Sequence, residues 1–365
     1  MRFPNPRQLD WYLVGTVLLL LVVSVVMIYS LTLVRGQASL AWGQAAYGGI
    51  GLALAAGVTA INYRRFHLLA PAVYAAVVAL LAAVPAVGTT IFGAKRWIDL
   101  GVFQLQPSEL AKLALVLILA RLLADRYGEV RARDLGVIIL ALAIPVLLVA
   151  EQPDLGTAGV LCLTALLMLA VAKLPRSLWL GLIALGALVV PILFASLEDY
   201  QLERIQTFLA PTSDPYGAGY NVIQSLIAVG NGGLVGQGIG YGTQSQLDFL
   251  PVVHTDFIFA GIAESTGLVG SLILITILAV LVSRALLIAH RAPDTFGALV
   301  AAGIASLWLV QVAVNIGMNL GLAPVTGIPL PFISHGGTAL ITNLLAVGIL
   351  ETIAIRARTP RSHTR

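Results

Sequence analysis

Ten apolar runs set what this chain can fold into. They fall at about 11–34, 41–61, 67–91, 108–124, 135–151, 156–173, 177–197, 256–289, 296–320 and 334–355. Most approach the roughly 20 residues that a helix needs to cross a bilayer. The remaining chain is too short to cover them. Of the 365 residues, 59% are hydrophobic and 10% are charged, whereas a soluble domain carries about 25% charged residues. The reading is an all-α polytopic membrane protein, a single integral membrane domain over residues 1–365 with ten transmembrane helices. The longest polar interval, 198–255, lies between the seventh and eighth and forms a large extracytoplasmic loop. The first run exceeds the core of a signal peptide, about 7–15 residues, and no small-x-small cleavage site follows it. It reads as a retained anchor.

Charge orients the spans. An even number places both termini on one side, and with that side in the cytoplasm the inner loops collect 16 of the 21 Lys and Arg residues, as the positive-inside bias requires. The pI near 9.3 is therefore an orientation signal scattered between apolar runs, and no nucleic-acid surface is expected. The basic tail RARTPRSHTR reads as an anchor for anionic headgroups. Arg35, Lys95, Arg96, Lys112 and Arg204 break the bias, and 11 of the 17 acidic residues also fall outside. Arg35 reads as a solvated loop residue. An outer face holding both signs beside the membrane reads as a polar site. The lone cysteine, Cys162, excludes an intramolecular disulfide and a cysteine zinc cluster.

Five constellations could carry chemistry. In LPVVHTDFIFAGIAE, Leu250 to Glu264, Asp256 stands at the mouth of an apolar segment, where a carboxylate is costly and marks a functional site. Thr255 is the expected N-cap, which puts Asp256 in the first helical turn. The helix dipole there lowers its basicity, and burial raises it. Glu264, two turns deeper, needs a partner such as Lys112, or a proton. In QPSELAK, Glu109 and Lys112 are i,i+3 neighbours on one helix face, either an ion pair that neutralises two charges or a pair that faces a cavity and holds a headgroup; Pro107 or Ser108 fits the helix start, with Ser108 as N-cap or Pro107 as the loop's end. The glycine-rich VGNGGLVGQGIGYGT, residues 229–243, follows no strand and opens no helix, so a nucleotide fold is not expected. It reads as a flexible outer loop. The prolines of PVTGIPLPFISHGGT, residues 324–338, prevent a regular helix, giving either a loop that lines a cavity or a plain connection. The segment EQPDLGT, 151–157, is mostly turn chemistry.

Together these segments resemble the SEDS family (shape, elongation, division and sporulation) of bacterial cell-wall proteins over nearly the whole chain. The carriers are GAKRWIDLGVFQLQPSELAK, QPDLGT, the run from Arg204 through DPYGAGYNVIQSLIAVGNGGLVGQGIG, FLPVVHTDFIFA and TGIPLPFISHGGT. GTQSQLDFLP and TGIPLPFIS look more like the elongation (RodA) branch than the division (FtsW) branch. The resemblance implies a peptidoglycan glycosyltransferase that polymerises lipid II, a disaccharide-pentapeptide on polyprenyl pyrophosphate, outside the cytoplasmic membrane during elongation. It matches Asp256 to the family's essential aspartate, Glu109 and Lys112 to its polar pair, and Arg96 and Arg204 to basic positions near the outer cavity. Ser265 and His335 depart from the family's usual glutamate and tyrosine.

The implied scheme makes Asp256 a general base toward the acceptor sugar's 4-hydroxyl, with Arg96, Lys112 or Arg204 stabilising the departing pyrophosphate; Glu264 joins the substrate-binding set. No cofactor is required; a divalent cation could assist, though no ligand cluster demands one. The expected partner is a class B penicillin-binding protein. The rival reading is a flippase for a polyprenyl-linked precursor, which buried charges and a broken loop also suit.

Overall fold

The computed structural model describes residues 6–91, 94–101, 103–195, 199–215, 217, 219–247 and 249–358. Among these it contains thirteen α-helices and three short strands. The helices before the long polar interval are α1 (Trp11–Thr32), α2 (Ser39–Thr59), α3 (Arg64–Val87), α4 (Pro107–Ala124), α5 (Ala132–Ala150), α6 (Leu155–Val171) and α7 (Arg176–Ala195). Within that interval lie α8 (Asp199–Leu209), α9 (Tyr220–Asn231) and α10 (Thr243–Gln246); α11 (Ile258–Arg291), α12 (Thr295–Asn319) and α13 (Gly337–Arg358) follow. Six of them, α1, α3, α5, α11, α12 and α13, are long and apolar enough to cross a membrane, and α6 and α7 carry shorter apolar stretches. The basic tail beyond Arg358 lies outside the described residues.

Helix ends follow local chemistry at several places. Asp10, Asp154 and Asp294 each accept a hydrogen bond from a backbone N–H three residues on, at 3.1, 3.1 and 2.9 Å, which satisfies one orphan donor of α1, α6 and α12. α4 starts at one of its two expected residues but with a different cap. Pro107 is its first residue and Gln106 its cap, without a side-chain hydrogen bond; Pro loses nothing there because that N–H has no helical partner.

Helices α4, α12 and α13 form the buried centre, around Trp308, Leu119 and Leu350. Close crossing of α2 and α13 depends on small residues. A Cβ at Gly51 would strike the Leu344 side chain, and one at Gly348 would meet the Ala55 backbone at 2.7 Å. Small residues let helix backbones approach where lipid offers no competing packing partner. At the periphery, Leu178 and Trp179 of α7 rest on the core, while Leu188, Val190 and Ile192 are exposed, the pattern of a lipid-facing helix.

Three expectations need correction. The first is the all-α reading, with a third run drawn to residue 91: α3 ends at Val87 and strands follow it. There β1 (Thr89–Ile91), β2 (Ala94–Asp99) and β3 (Gln104–Leu105) make a small antiparallel sheet in that order. β2 is paired on both sides, Thr90 with Lys95 and Ile98 with Leu105 among the partners.

The second is the glycine-rich run, expected to be a flexible loop. It is docked onto a break in α11, where Gly267 adopts φ +68°. The break frees the N–H groups of Leu268 and Val269 and the carbonyls of Glu264 and Ser265. The run satisfies all four. Leu268 and Val269 donate to Gly233 O and Leu234 O at 2.9 and 3.1 Å, while Gln237 and Gly238 donate to Glu264 O and Ser265 O at 3.0 Å. An interrupted helix in a membrane protein needs such partners, because lipid supplies none. A Cβ at Gly232, Gly236 or Gly267 would collide with backbone across this joint, so the glycines serve close approach rather than motion.

The third is the cap of α11. Thr255 is not the N-cap; Phe257 is, with no side-chain hydrogen bond, and Asp256 lies before the helix rather than in its first turn.

Candidate active site

Asp256 sits in a run of tight turns, 251–257, that leads into α11. Val252 holds φ +50°, a costly conformation for a β-branched residue that persists only when its surroundings fix it. The fixing contacts are visible. Ser334 Oγ donates to Thr255 O at 2.7 Å, His335 N donates to His254 O at 2.9 Å, and Thr255 N donates to Val252 O at 3.1 Å. The carbonyl of Asp256 accepts from both Asn315 Nδ2 and Asn319 Nδ2, each at 3.0 Å.

The other wall is the broken segment before α13. Its backbone is buried at Ile328, Leu330, Phe332 and Ile333, and side chains from neighbouring helices satisfy it. Asn315 donates to Ile328 O at 2.8 Å, Ser24 to Ile333 O at 2.7 Å and Gln44 to Ser334 O at 3.1 Å. Non-helical backbone is thus wrapped in protein. The loop also faces the carboxylate: a Cβ built at Gly327, which holds φ +73°, would lie 3.4 Å from Asp256 Oδ2.

Electrostatically, Asp256 is half-buried. Burial raises its pKa to about 6, against the lowering influence of the Thr255 hydroxyl, then Arg204; Asp154 raises it further and Arg96 lowers it. Such a carboxylate is mostly ionised at neutral pH and more basic than an exposed one. His254 titrates at about 4, lowered by burial and by His335 and Arg35, so it is neutral beside Asp256.

The expected residues separate into groups. Arg96 and Arg204 are the two cations whose charge acts on Asp256. Arg96 is committed to the turn before α6: it donates to Gln152 O at 2.9 Å and to Pro153 O, and stands 3.9 Å from Asp154 Oδ1. Arg204, on α8, lines a groove of about 370 Å³ with Glu203, Asn221 and Pro324. Glu109 and Lys112 are joined at 2.7 Å and both almost wholly buried, so the i,i+3 pair forms. Glu264 does not turn to Lys112. Its fully buried carboxylate accepts from Gln244 N at 2.7 Å, Ser245 N at 3.0 Å and Ser245 Oγ at 2.7 Å. An anion at the start of α10 meets unpaired amides there, and that tie holds the segment around α10 to α11.

Asn315, Asn319, Gly327 and Asp154 are site residues that the sequence reading passed over. Two amides at i and i+4 in the apolar α12 were the available signal, since polar side chains inside a span mark helix-to-helix hydrogen bonds. Asp154 looked like turn chemistry; it caps α6 and also bears on Asp256. Among the described residues no three His, Cys, Asp or Glu side chains converge.

Comparison with known proteins bears on the chain as a whole. The family model for FtsW, RodA and SpoVE, described as a cell cycle protein, matches residues 7–359. The peptidoglycan glycosyltransferase MrdB of Escherichia coli K12 is 45% identical over 305 residues, covering 83% of this chain and 82% of that protein. Among solved structures, a chain from work on the coordination of polymerization and crosslinking by a peptidoglycan synthase complex superposes with TM-score 0.81 at 35% identity, covering 96% of this chain and 99% of the other. The rod shape determining protein RodA of Thermus thermophilus superposes with TM-score 0.73 at 31% identity, covering 98% and 100%. Matched by the family model over nearly its whole length, the protein belongs to the FtsW/RodA/SpoVE family.

Proposed function

We propose that this chain is a peptidoglycan glycosyltransferase that polymerises lipid II into glycan strands during cell elongation, with Asp256 as its general base. The observation that carries the base assignment is a half-buried carboxylate raised to about 6, fixed by a double hydrogen bond to its own carbonyl. A base works best when its pKa lies just below the working pH, where it is free of a proton and still accepts one.

In the proposed step, the 4-hydroxyl of the acceptor sugar gives its proton to Asp256 as its oxygen bonds to the anomeric carbon of the donor. The bond from that carbon to the pyrophosphate oxygen breaks on the opposite face, inverting the centre, and polyprenyl pyrophosphate leaves with the electron pair. Arg204 supports the growing charge most directly, because it borders the groove and no described ion pair neutralises it. Arg96 contributes through its field at the site. Lys112 is occupied by Glu109, so its contribution requires that substrate compete for it. A divalent cation is not needed in this scheme.

The same reading gives ten spans, formed by α1 to α7 and α11 to α13, with both termini in the cytoplasm and Asp256 outside. The 16 basic residues gathered on one side support it. A class B penicillin-binding protein is the proposed partner, since linear strands need crosslinking.

The test is polymerisation of labelled lipid II by the purified protein with its partner's transpeptidase serine blocked. Long glycan from wild type and none from folded Asp256→Ala is expected. Polymer from both would remove Asp256 from the mechanism; polymer from neither, beside an active control, would favour a flippase.

A further inference from the structure

A helix that began in the usual way at this place would use Asp256 as its N-cap. The Asp256 carbonyl would accept from Ala260 N–H, four residues on, and the carboxylate would turn onto the backbone amides of the first turn. Aspartate is among the best N-cap residues, and phenylalanine is not. Yet the cap of α11 is Phe257, and the first backbone hydrogen bond of the helix runs from Gly261 N to Phe257 O at 3.2 Å.

One side chain accounts for the displacement. Asn319 stands between the two groups that would have bonded: its Oδ1 accepts from Ala260 N at 3.0 Å, and its Nδ2 donates to Asp256 O at 3.0 Å. The carboxamide thus takes both halves of the hydrogen bond that would draw Asp256 into the helix. The second Nδ2 proton goes to Asn315 O at 2.8 Å. Asn315 spends its own two donors on Asp256 O and Ile328 O, so both acceptor positions of the Asp256 carbonyl are filled from α12. Both asparagines are completely buried, and every amide proton on them is used.

We propose that Asn319 is a positioning residue for glycan polymerisation: inserted into the first turn of α11, with Asn315 beside it, it prevents Asp256 from capping its own helix and keeps the carboxylate off the helix amides and against Gly327. This rests on the reading of Asp256 as the base. Once the wedge is removed, the helix gains a residue and Asp256 becomes its N-cap. Its oxygens then accept backbone N–H bonds and feel the positive helix end, both of which favour the ionised form and weaken the base. The other groups that bear on Asp256 are Thr255 beside it, Arg204 on α8, Arg96 on β2 and Asp154 at the start of α6. His254 and His335, in the adjoining turns, both have their pKa lowered by burial, His254 to about 4.

The experiment is the pH–rate profile of lipid II polymerisation by the full-length protein in complex with its transpeptidase-blocked partner. Wild type, Asn319→Ala, Asn319→Leu and Asn315→Ala are compared, with Asp256→Asn as reference. For the Asn319 variants we expect kcat at pH 7.5 to fall about tenfold to a hundredfold, the scale set by misplacing one reacting group. KM should change less than about threefold, and the acid limb should move to lower pH. Asn315→Ala, which keeps the wedge and loses one of two donors, should show the same changes several-fold smaller. It also carries the test should the Asn319 variants not fold. Folded variants with the wild-type acid limb and wild-type kcat per active molecule would overturn the proposal and leave the asparagines as packing. Activity in Asp256→Asn is a separate outcome: it would remove the base assignment itself, whatever the asparagine variants do.

Discussion

Glu109 and Lys112 offer the sharpest separation of stability from chemistry. The two charges meet at 2.7 Å with side chains 3% and 1% exposed. Changing Lys112 to Met leaves the Glu109 carboxylate buried without its cation; changing Glu109 to Gln strands the ammonium. Removing one member of a buried pair costs about 3–5 kcal/mol, whereas replacing both with groups of similar shape is often neutral, because the cost of taking two charges out of water vanishes with them. Each single variant should therefore lower Tm clearly in detergent, and the double variant Glu109→Gln/Lys112→Met should recover most of the loss. The coupling in that cycle should reach about 2 kcal/mol or more, above the few tenths expected of independent sites. Melting curves give the stability, and lipid II polymerisation on the same samples gives the activity. A double variant as unstable as the sum of the singles would refute the buried-pair argument. A stable double variant that polymerises normally would make the pair structural. A stable but inactive one would place it with the substrate.

Three further outcomes follow from the site. Asp256→Asn should be more stable than wild type above pH 6: a carboxyl raised to about 6 binds more protons folded than unfolded between about pH 4 and 6, so wild-type stability falls as pH rises through that window. After discounting for partial exposure, the gain is about 1–2 kcal/mol and should shrink toward pH 4; a variant no more stable at pH 7.5 would contradict the burial of the charge. Gly267→Ala forces a side chain into a φ of +68° against the backbone of Gly236 and should cost at least about 2 kcal/mol. Hydrogen exchange should then accelerate at Leu268 and Val269, and unchanged protection there would deny the docked joint. Glu264→Gln weakens a charge-assisted set of bonds to Gln244 and Ser245, at about 1.5–3 kcal/mol. Proteolysis within 237–250 should increase while Asp256 stays in place; equal resistance would show that the carboxylate is not what holds the segment.

The sequence by itself determined the membrane class, because a chain with so little charge has no soluble way to hide ten apolar runs. It also determined the i,i+3 pairing of Glu109 with Lys112, since helical spacing alone brings them together, and the prominence of Asp256, a charge standing where charges are expensive. What it left open depends on residues far apart along the chain. Thr255 looks like a cap and Asp256 like a first-turn acid until Ser334 takes the Thr255 carbonyl and Asn319, 59 residues beyond Ala260, enters the turn. The glycine-rich run looks mobile until the break at Gly267 presents four backbone groups that only that run meets. Glu264 appears to need Lys112 until amides of 244 and 245 fold over it. In each case local preference proposed one conformation and tertiary hydrogen bonding selected another, because a polar backbone group shut away from water must find its partner wherever the fold supplies one.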